Sequence, residues 1–295
     1  MAGLLDVDNG GSKRFRELLS TGETILAPGA YDALSARLIE LAGFPAVYMT
    51  GFGVAASLLG RPDVGLTTMT EMVDSARRIV QAVNVPVIAD ADTGYGNALN
   101  VVRTVREYEA AGIAAIQLED QVAPKRCGHM TGRQLISADE MAGKVSAAAA
   151  ARRSSDFVII ARTDAREVEG IDRAIDRARR YRDAGADMLF VEAPQTTEEV
   201  ELVAHELQGA PLLFNWAEGG KTPPLSLSEL QSLGFRLVIF PVGALLAATA
   251  AVQRILDVIM ADGTPQRGLG DAVKFPDFLE TIGLPEIDAL GKQFA

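Results

Sequence analysis

The chain has 295 residues, 48% hydrophobic and 23% charged, with 39 acidic against 28 basic side chains for a formal charge of −11. That is ordinary globular composition with length enough for a sizeable core. The acidic balance argues against a nucleic-acid or anionic-membrane surface, and says little about small anionic substrates, which respond to local charge. A single cysteine excludes an internal disulfide framework and suits a reducing cytoplasm. The opening MAGLLDVDNGGSKRF lacks an apolar run of signal-peptide length, and the apolar run 242–252 is too short to span a bilayer. These features describe a cytoplasmic globular protein with no membrane partner.

In chain order, short apolar runs alternate with helix-compatible stretches. The runs are TILAP (24–28), PAVYMT (45–50), VPVIAD (85–90), IAAIQLED (113–120), FVIIARTD (157–164), MLFVEAP (188–194), PLLFNW (211–216) and RLVIFP (236–241). Between them lie segments such as VVRTVREYEAAG, apolar at helical spacing with glycine near the C-terminal end. Apolar strands of this kind suit a parallel sheet buried on both faces. Eight such units in about 240 residues predict an α/β fold of the (β/α)8 TIM-type barrel class. No linker divides the chain, so 1–295 reads as one domain, with 1–12 flexible and 243–295 a C-terminal helical extension beyond what a closed barrel needs.

Barrel active sites gather at the C-terminal ends of the strands. Those ends carry Tyr48 and Thr50, Asp90 and Asp92, Glu119 and Asp120, Arg162 and Asp164, Glu192, and Asn215. So many polar groups at one rim call for a charge to bind, because each is costly to desolvate alone. DADTGYGN (90–97) is the densest piece. Its two aspartates, Asp90 and Asp92, stand two residues apart at the end of a strand. With Glu119 they form a hard-oxygen set suited to Mg2+, with Mn2+ as a substitute, and the scarcity of histidine and cysteine argues against zinc.

YMTG, DADTGYGN, LEDQVAPKRCGH, ARTDA and EGGKTP, in that order, resemble the isocitrate lyase / phosphoenolpyruvate mutase superfamily over nearly the whole chain. Within it the chain is most similar to short lyases of 2-methylisocitrate or 2-alkylmalates and to carboxyphosphonoenolpyruvate mutase. The resemblance implies that Tyr48, Thr50, Gly51 and Phe52 hold an α-oxo acid carboxylate. It places Asp63, Asp90, Asp92 and Glu119 around Mg2+, Asp90 directly and the others largely through water. It puts Arg162 at the oxygen of the reacting centre and makes Glu192, Asn215 and Glu218 pocket groups. Residues 121–133 become a mobile gating loop that brings Gly128 to the substrate. Phe52 and Trp216 are bulkier than their counterparts and are expected to narrow the pocket.

PKRCGHMTGR (124–133) holds the only cysteine and one of two histidines. In C–C cleavage the departing carboxylate-stabilised carbanion needs a proton from a positioned acid. The Cys127 thiol fits if Lys125, Arg126 and His129 bring its pKa toward neutrality, and the same cations offset developing negative charge. The favoured function is therefore a Mg2+-dependent lyase acting on a small 2-hydroxy di- or tricarboxylate. The alternatives are a phosphonomutase forming a P–C bond and a barrel that only binds carboxylate. His205 and the clusters RRYRD and TTEEVELV read as solvated helix faces. VGALLAATAAVQRIL, beyond the eighth strand, predicts an interface in a homotetramer, since relatives of this type exchange that helix between subunits.

Overall fold

Each of the eight apolar runs forms a strand. The computed structural model describes Leu5, residues 10–128 and residues 132–295, so His129 lies outside the described residues. In chain order, α1 (Gly11–Ser20) precedes β1 (Ile25–Ala30) and α2 (Ala33–Leu41), and β2 (Val47–Met49) leads into α3 (Gly51–Leu59) and α4 (Met69–Ala82). Next come β3 (Val87–Asp90), α5 (Ala98–Ala110), β4 (Ala115–Glu119), α6 (Ala138–Ala151), β5 (Val158–Thr163), α7 (Ala165–Glu169) and α8 (Ile171–Asp183). The ring finishes with β6 (Met188–Val191), α9 (Thr197–Glu206), β7 (Leu212–Asn215), α10 (Leu227–Ser232) and β8 (Phe235–Phe240). Beyond it run α11 (Gly243–Asp262), α12 (Phe275–Thr281) and α13 (Leu284–Gln293). The strands pair in sequential order, all parallel, and β8 closes on β1 with Ile25 opposite Leu237. The closed eight-stranded barrel is the expected one.

Polar punctuation starts the helices. Asp32, Thr68, Asn97 and Ser226 each cap a helix through reciprocal side-chain and backbone bonds, a device that stabilises a helix by about 1 kcal/mol. Two apolar layers follow from strand alternation. Ile88, Val158, Ile160, Met188, Phe190, Leu213 and Leu237 fill the barrel interior, and Phe15 of α1 packs with them. Val87, Ala89, Ile159, Ala161, Leu189 and Phe214 face the helices. Two departures concern surface segments. Tyr181, within RRYRD, is fully buried, and its hydroxyl donates to Asp120 Oδ2 at 2.7 Å. α11 runs to Asp262, well past the 242–252 stretch. At 20 residues and mean hydropathy 1.6 it meets the length and composition of a membrane span, and none of its residues is buried. Length and composition do not separate a span from a helix that packs on another copy.

Candidate active site

The period-two alternation of the strands carries on past their ends and builds the site. Ile88 points into the barrel, so Asp90 does too. In the same way Ile160 leads to Arg162, Phe190 to Glu192, Leu213 to Asn215, and Gln117 to Glu119. Asp90, Glu119, Arg162, Glu192 and Asn215, with Tyr48 in β2 and Thr50 just after it, line a cavity of ≈ 260 Å³ at the C-terminal mouth of the barrel. Trp216 takes the opposite parity, which corrects its expected role. It is not among the residues lining the cavity; its Nε1 donates to Leu225 O at 3.1 Å and its ring tilts against Phe240 outside the barrel. Phe52 does line the cavity.

Thr50 Oγ1 accepts from Gly53 N at 3.2 Å and starts α3. Gly51 is required where it stands, since a Cβ there would lie 2.5 Å from Asp90 Oδ2. Tyr48 Oη donates to Gln117 Oε1 at 3.2 Å, and burial, with Asp90 nearby, raises its pKa well above the ordinary value, so it stays a neutral donor.

Of the carboxylates expected around the metal, Asp63, Asp90 and Glu119 line the cavity and Asp92 does not, and Lys125 is bonded among them. Lys125 Nζ lies 2.6 Å from Asp63 Oδ2 and 2.8 Å from Asp92 Oδ1. This corrects its reading as a cation beside the thiol, for its charge is committed to the acidic cluster. Against burial, which lowers it, the carboxylates of Asp92, Asp90, Glu119 and Asp63 hold the Lys125 ammonium well above its usual range. Burial pushes the Asp92 carboxyl up to about 6 against the pull of Lys125, with Asp90 and Asp63 adding repulsion. Asp92 faces outward from the cavity because its φ of 48 turns the chain there.

Asp90 has no direct ion pair among the described residues. Glu119 Oε1 is buried without a hydrogen-bond partner, and burial raises its pKa well above the carboxylate range despite Arg162. The cavity wall carries Asp63, Asp90, Glu119, Glu192 and Glu218 against only Lys125 and Arg162 among the described residues. Excess buried negative charge, an orphaned carboxylate oxygen and hard donors fit a divalent cation such as Mg2+. Among the described residues no three His, Cys, Asp or Glu groups are set to enclose an ion by themselves. That suits a cation keeping several waters, held by Asp90 with Glu119 nearby, while Lys125 occupies Asp63 and Asp92.

Arg162 is held from several sides. Nε and Nη2 donate to Asp164 at 3.0 and 2.8 Å, Nε lies 3.3 Å from Glu119 Oε2, Nη1 lies 3.5 Å from Glu192, and the guanidinium sits 5.3 Å above the Phe190 ring. Asn215 Nδ2 donates to Glu192 at 3.2 Å. Asp164 is fixed in turn by Arg133 Nη1 at 2.6 Å and by its own N–H donating to Asp120 Oδ1 at 2.9 Å. Asp120 and Asp164 were legible only as rim charges. Their supporting role depends on parity, which turns Asp120 away from the cavity.

Residues 125–128 lie over this floor. Cys127, partly exposed, and Gly128 both line the cavity. Gly128 approaches so closely that a Cβ would sit 2.7 Å from Glu192 Cγ and against Arg162. Arg126 is exposed and does not line the cavity, and its backbone is bonded at 2.9 and 2.8 Å to the side chain of Gln121. One wall had not been anticipated. Phe52, Ile239, Pro241, Val242 and Leu246 make an apolar side, the last two where α11 begins. Glu218 anchors that wall, accepting from Val242 N at 3.2 Å and Gly243 N at 2.7 Å. The run IFPVGALL was the available signal, because an apolar strand passes there directly into a helix at the active rim.

A family model described as phosphoenolpyruvate phosphomutase matches residues 15–260. The 2,3-dimethylmalate lyase of Eubacterium barkeri is 50% identical over 282 residues, 96% of this chain and 97% of that protein. The 2-methylisocitrate lyase of Halalkalibacterium halodurans is 45% identical, covering 96% of this chain and 93% of that protein. Among solved structures, oxaloacetate acetylhydrolase in complex with the inhibitor 3,3-difluorooxalacetate superposes with a TM-score of 0.93 at 38% identity over 98% of each chain. Phosphonopyruvate hydrolase in complex with oxalate and Mg2+ gives 0.88 at 31% identity, over 96% of this chain and 99% of that one. With the barrel, the rim carboxylates and the cysteine loop all in place, the chain belongs to the phosphoenolpyruvate mutase / isocitrate lyase superfamily, an enzyme family whose closely similar members include named lyases.

Proposed function

We propose that the protein is a Mg2+-dependent carbon–carbon lyase that splits a 2-hydroxy dicarboxylate of the 2-alkylmalate type, or the related 2-methylisocitrate, into an α-oxo acid and a carboxylate. The observation that carries this reading is the Cys127 thiol lining the same cavity as Asp90, Glu119 and Arg162. Bound Mg2+ supplies positive charge that draws the oxygens of the α-oxo acid fragment. Tyr48, Thr50 and the α3 N-terminus orient the carboxylate. Arg162 faces the hydroxyl oxygen as its proton passes to one of the carboxylates beside the guanidinium, Glu119 or Glu192, and the oxygen becomes a carbonyl. As the C2–C3 bond breaks, its electron pair passes to C3 and the attached carboxylate. Cys127 then gives its proton to C3, and the loop over the cavity keeps water away. The apolar wall suits an alkyl substituent. The 2,3-dimethylmalate lyase relative supports that preference, as does the oxalate and Mg2+ complex of the hydrolase for the metal. The free cysteine suits a cytoplasmic setting.

The phosphonomutase alternative gives the thiol no proton to deliver. The test is α-oxo acid release and phosphorus NMR on 2-alkylmalates, 2-methylisocitrate, oxaloacetate and phosphonopyruvate, for wild type and Cys127→Ser. The lyase predicts pyruvate-type product from a malate, lost by about 10²–10⁴-fold in the variant. A new phosphorus resonance undiminished in Cys127→Ser overturns it.

We also propose a homotetramer in which α11 packs on, and exchanges with, a neighbouring subunit. The support is that none of its residues is buried and that Leu246, Val252, Leu256 and Met260 are exposed. A monomer by sedimentation at working concentration overturns this.

A further inference from the structure

Behind the metal-facing carboxylates the backbone follows an improbable path. Asp92 (φ 48), Gly94 (φ 81), Tyr95 (φ 58) and Gly96 (φ 145) all lie at positive φ. For Asp92 and Tyr95 that conformation costs of order 1–3 kcal/mol each and persists only where the surroundings over-determine it. They do so here. Five consecutive carbonyl oxygens each accept a hydrogen bond. Asp90 O accepts from Tyr108 Oη at 3.2 Å, Ala91 O from Gly94 N at 2.9 Å, and Asp92 O from Glu119 N at 2.9 Å. Thr93 O accepts from Lys144 Nζ at 3.0 Å and Gly94 O from Thr104 Oγ1 at 3.1 Å. Three of the five donors are side chains reaching in from α5 and α6, outside the cavity.

Lys144 is the member that structure alone does not explain. It is 4% exposed and has no ion pair among the described residues. Burying an ammonium is costly, and a threonine or glutamine on α6 would be a cheaper donor for a surface turn. A lysine adds what those lack, a stem long enough to carry a charge-assisted donor from α6 to the Thr93 carbonyl. Tyr108 gives its proton to the Asp90 carbonyl, so the Tyr95 hydroxyl, 3.1 Å away, donates to Tyr108 and ties the far end of the turn into the same chain.

We infer that Lys144, with Tyr108, is a positioning residue for metal binding. Acting through the carbonyls of Thr93 and Asp90, the pair hold the 90–96 turn so that the Asp90 carboxylate enters the cavity while that of Asp92 turns back to Lys125. The inference rests on the reading above that Asp90 binds the metal, and does not depend on which substrate is cleaved.

The test is Mn2+ binding to the metal-free full-length protein, by electron paramagnetic resonance of free Mn2+ and by calorimetry, alongside thermal unfolding. The proteins are wild type, Lys144→Met, Lys144→Arg, Tyr108→Phe and, as a control for destabilisation alone, Val203→Ala in the buried face of α9. Lys144→Met is expected to raise the Mn2+ Kd about 10–100-fold, the range for groups that orient metal ligands. Lys144→Arg recovers part of that loss, and Val203→Ala lowers the melting temperature with Kd unchanged. Tyr108→Phe, which keeps the ring, raises Kd about 5-fold for one lost hydrogen bond, and decides the matter if Lys144→Met does not fold. Unchanged Kd in a folded Lys144→Met or in Tyr108→Phe overturns the inference, as does an equal rise in Val203→Ala. No Mn2+ binding by wild type overturns the metal reading itself, and this inference with it.

Discussion

Two segments meet over one cavity and are built in opposite ways. Residues 90–97 form a floor in which the five successive carbonyls of residues 90–94 each accept a hydrogen bond, three of them from side chains of α5 and α6. Residues 121–128 and 132–133 belong to a cover joined at its neck by the Gln121–Leu135 bridge and by Val122 N donating to Gln134 O at 2.8 Å. Its contacts with the site below include Lys125 to Asp63 and Asp92, Gly128 resting on Arg162 and Glu192, and Arg133 to Asp164. The floor carries charge that has to be in place before substrate arrives, which demands rigidity. In the proposed reaction the cover brings the proton donor and lets substrate pass, which demands contacts that come apart together.

The largest effect should come from breaking the floor at its centre. Asp90→Asn keeps an oxygen for the Asp92 N–H, now 3.1 Å away, but removes the charge. Metal affinity is expected to fall by more than about 100-fold, beyond the range for groups that only orient ligands. Melting temperature should hardly move. Calorimetry with Mg2+ and Mn2+ checks this, and metal-stimulated turnover surviving in the variant would remove Asp90 from the centre.

Gly128→Ala tests the cover. The added methyl would press on Glu192 Cγ and Arg162, so the loop cannot settle. A misplacement of about 1 Å at a reacting group costs about 100-fold in rate, and kcat should fall by that order while metal affinity and melting temperature stay at wild-type values. A change in metal affinity here would show that the two segments are one unit.

Gly94→Ala is the converse. At φ 81, with Val101 Cγ2 2.5 Å from the new Cβ, the substitution strains the floor. It should lose about 1–3 kcal/mol of stability, with metal affinity falling in parallel, measured by denaturant unfolding and Mn2+ titration.

The difference between the segments also marks what the sequence could disclose. All eight strands were legible as apolar runs, which made Asp90, Glu119, Arg162, Glu192 and Asn215 legible as strand-end residues, and period two, a property of the backbone, explains why these face the cavity. The same parity, had it been applied one residue further, would have sent Trp216 outward. Lys125 and Arg126 could not be placed this way, since an irregular loop has no period: the first turned into the acidic cluster and the second to solvent. The apolar wall of Val242 and Leu246 and the carbonyl donors Tyr108 and Lys144 depend on packing between elements distant in the chain, which one sequence does not display.

The smallest expected effect concerns the neck of the cover. The Gln121 side chain accepts from Arg126 N at 2.9 Å and donates to Arg126 O at 2.8 Å, clamping the peptide one residue before Cys127. Gln121→Ala removes both bonds. The freed groups sit at an exposed residue and find water, so each loss is near the usual net value of about 1 kcal/mol for a hydrogen bond rather than the larger cost of a buried orphan. The closed loop is then less favoured by a few-fold, not abolished, because Gly128 can still reach its seat. KM for the malate substrate should rise and kcat/KM fall by about 5–30-fold, with metal affinity unchanged. A fall as deep as that of Gly128→Ala would mean that the clamp aims the thiol itself and that part of the cover is as fixed as the floor. Wild-type kinetics would mean that Lys125 and Gly128 alone decide where the loop comes to rest.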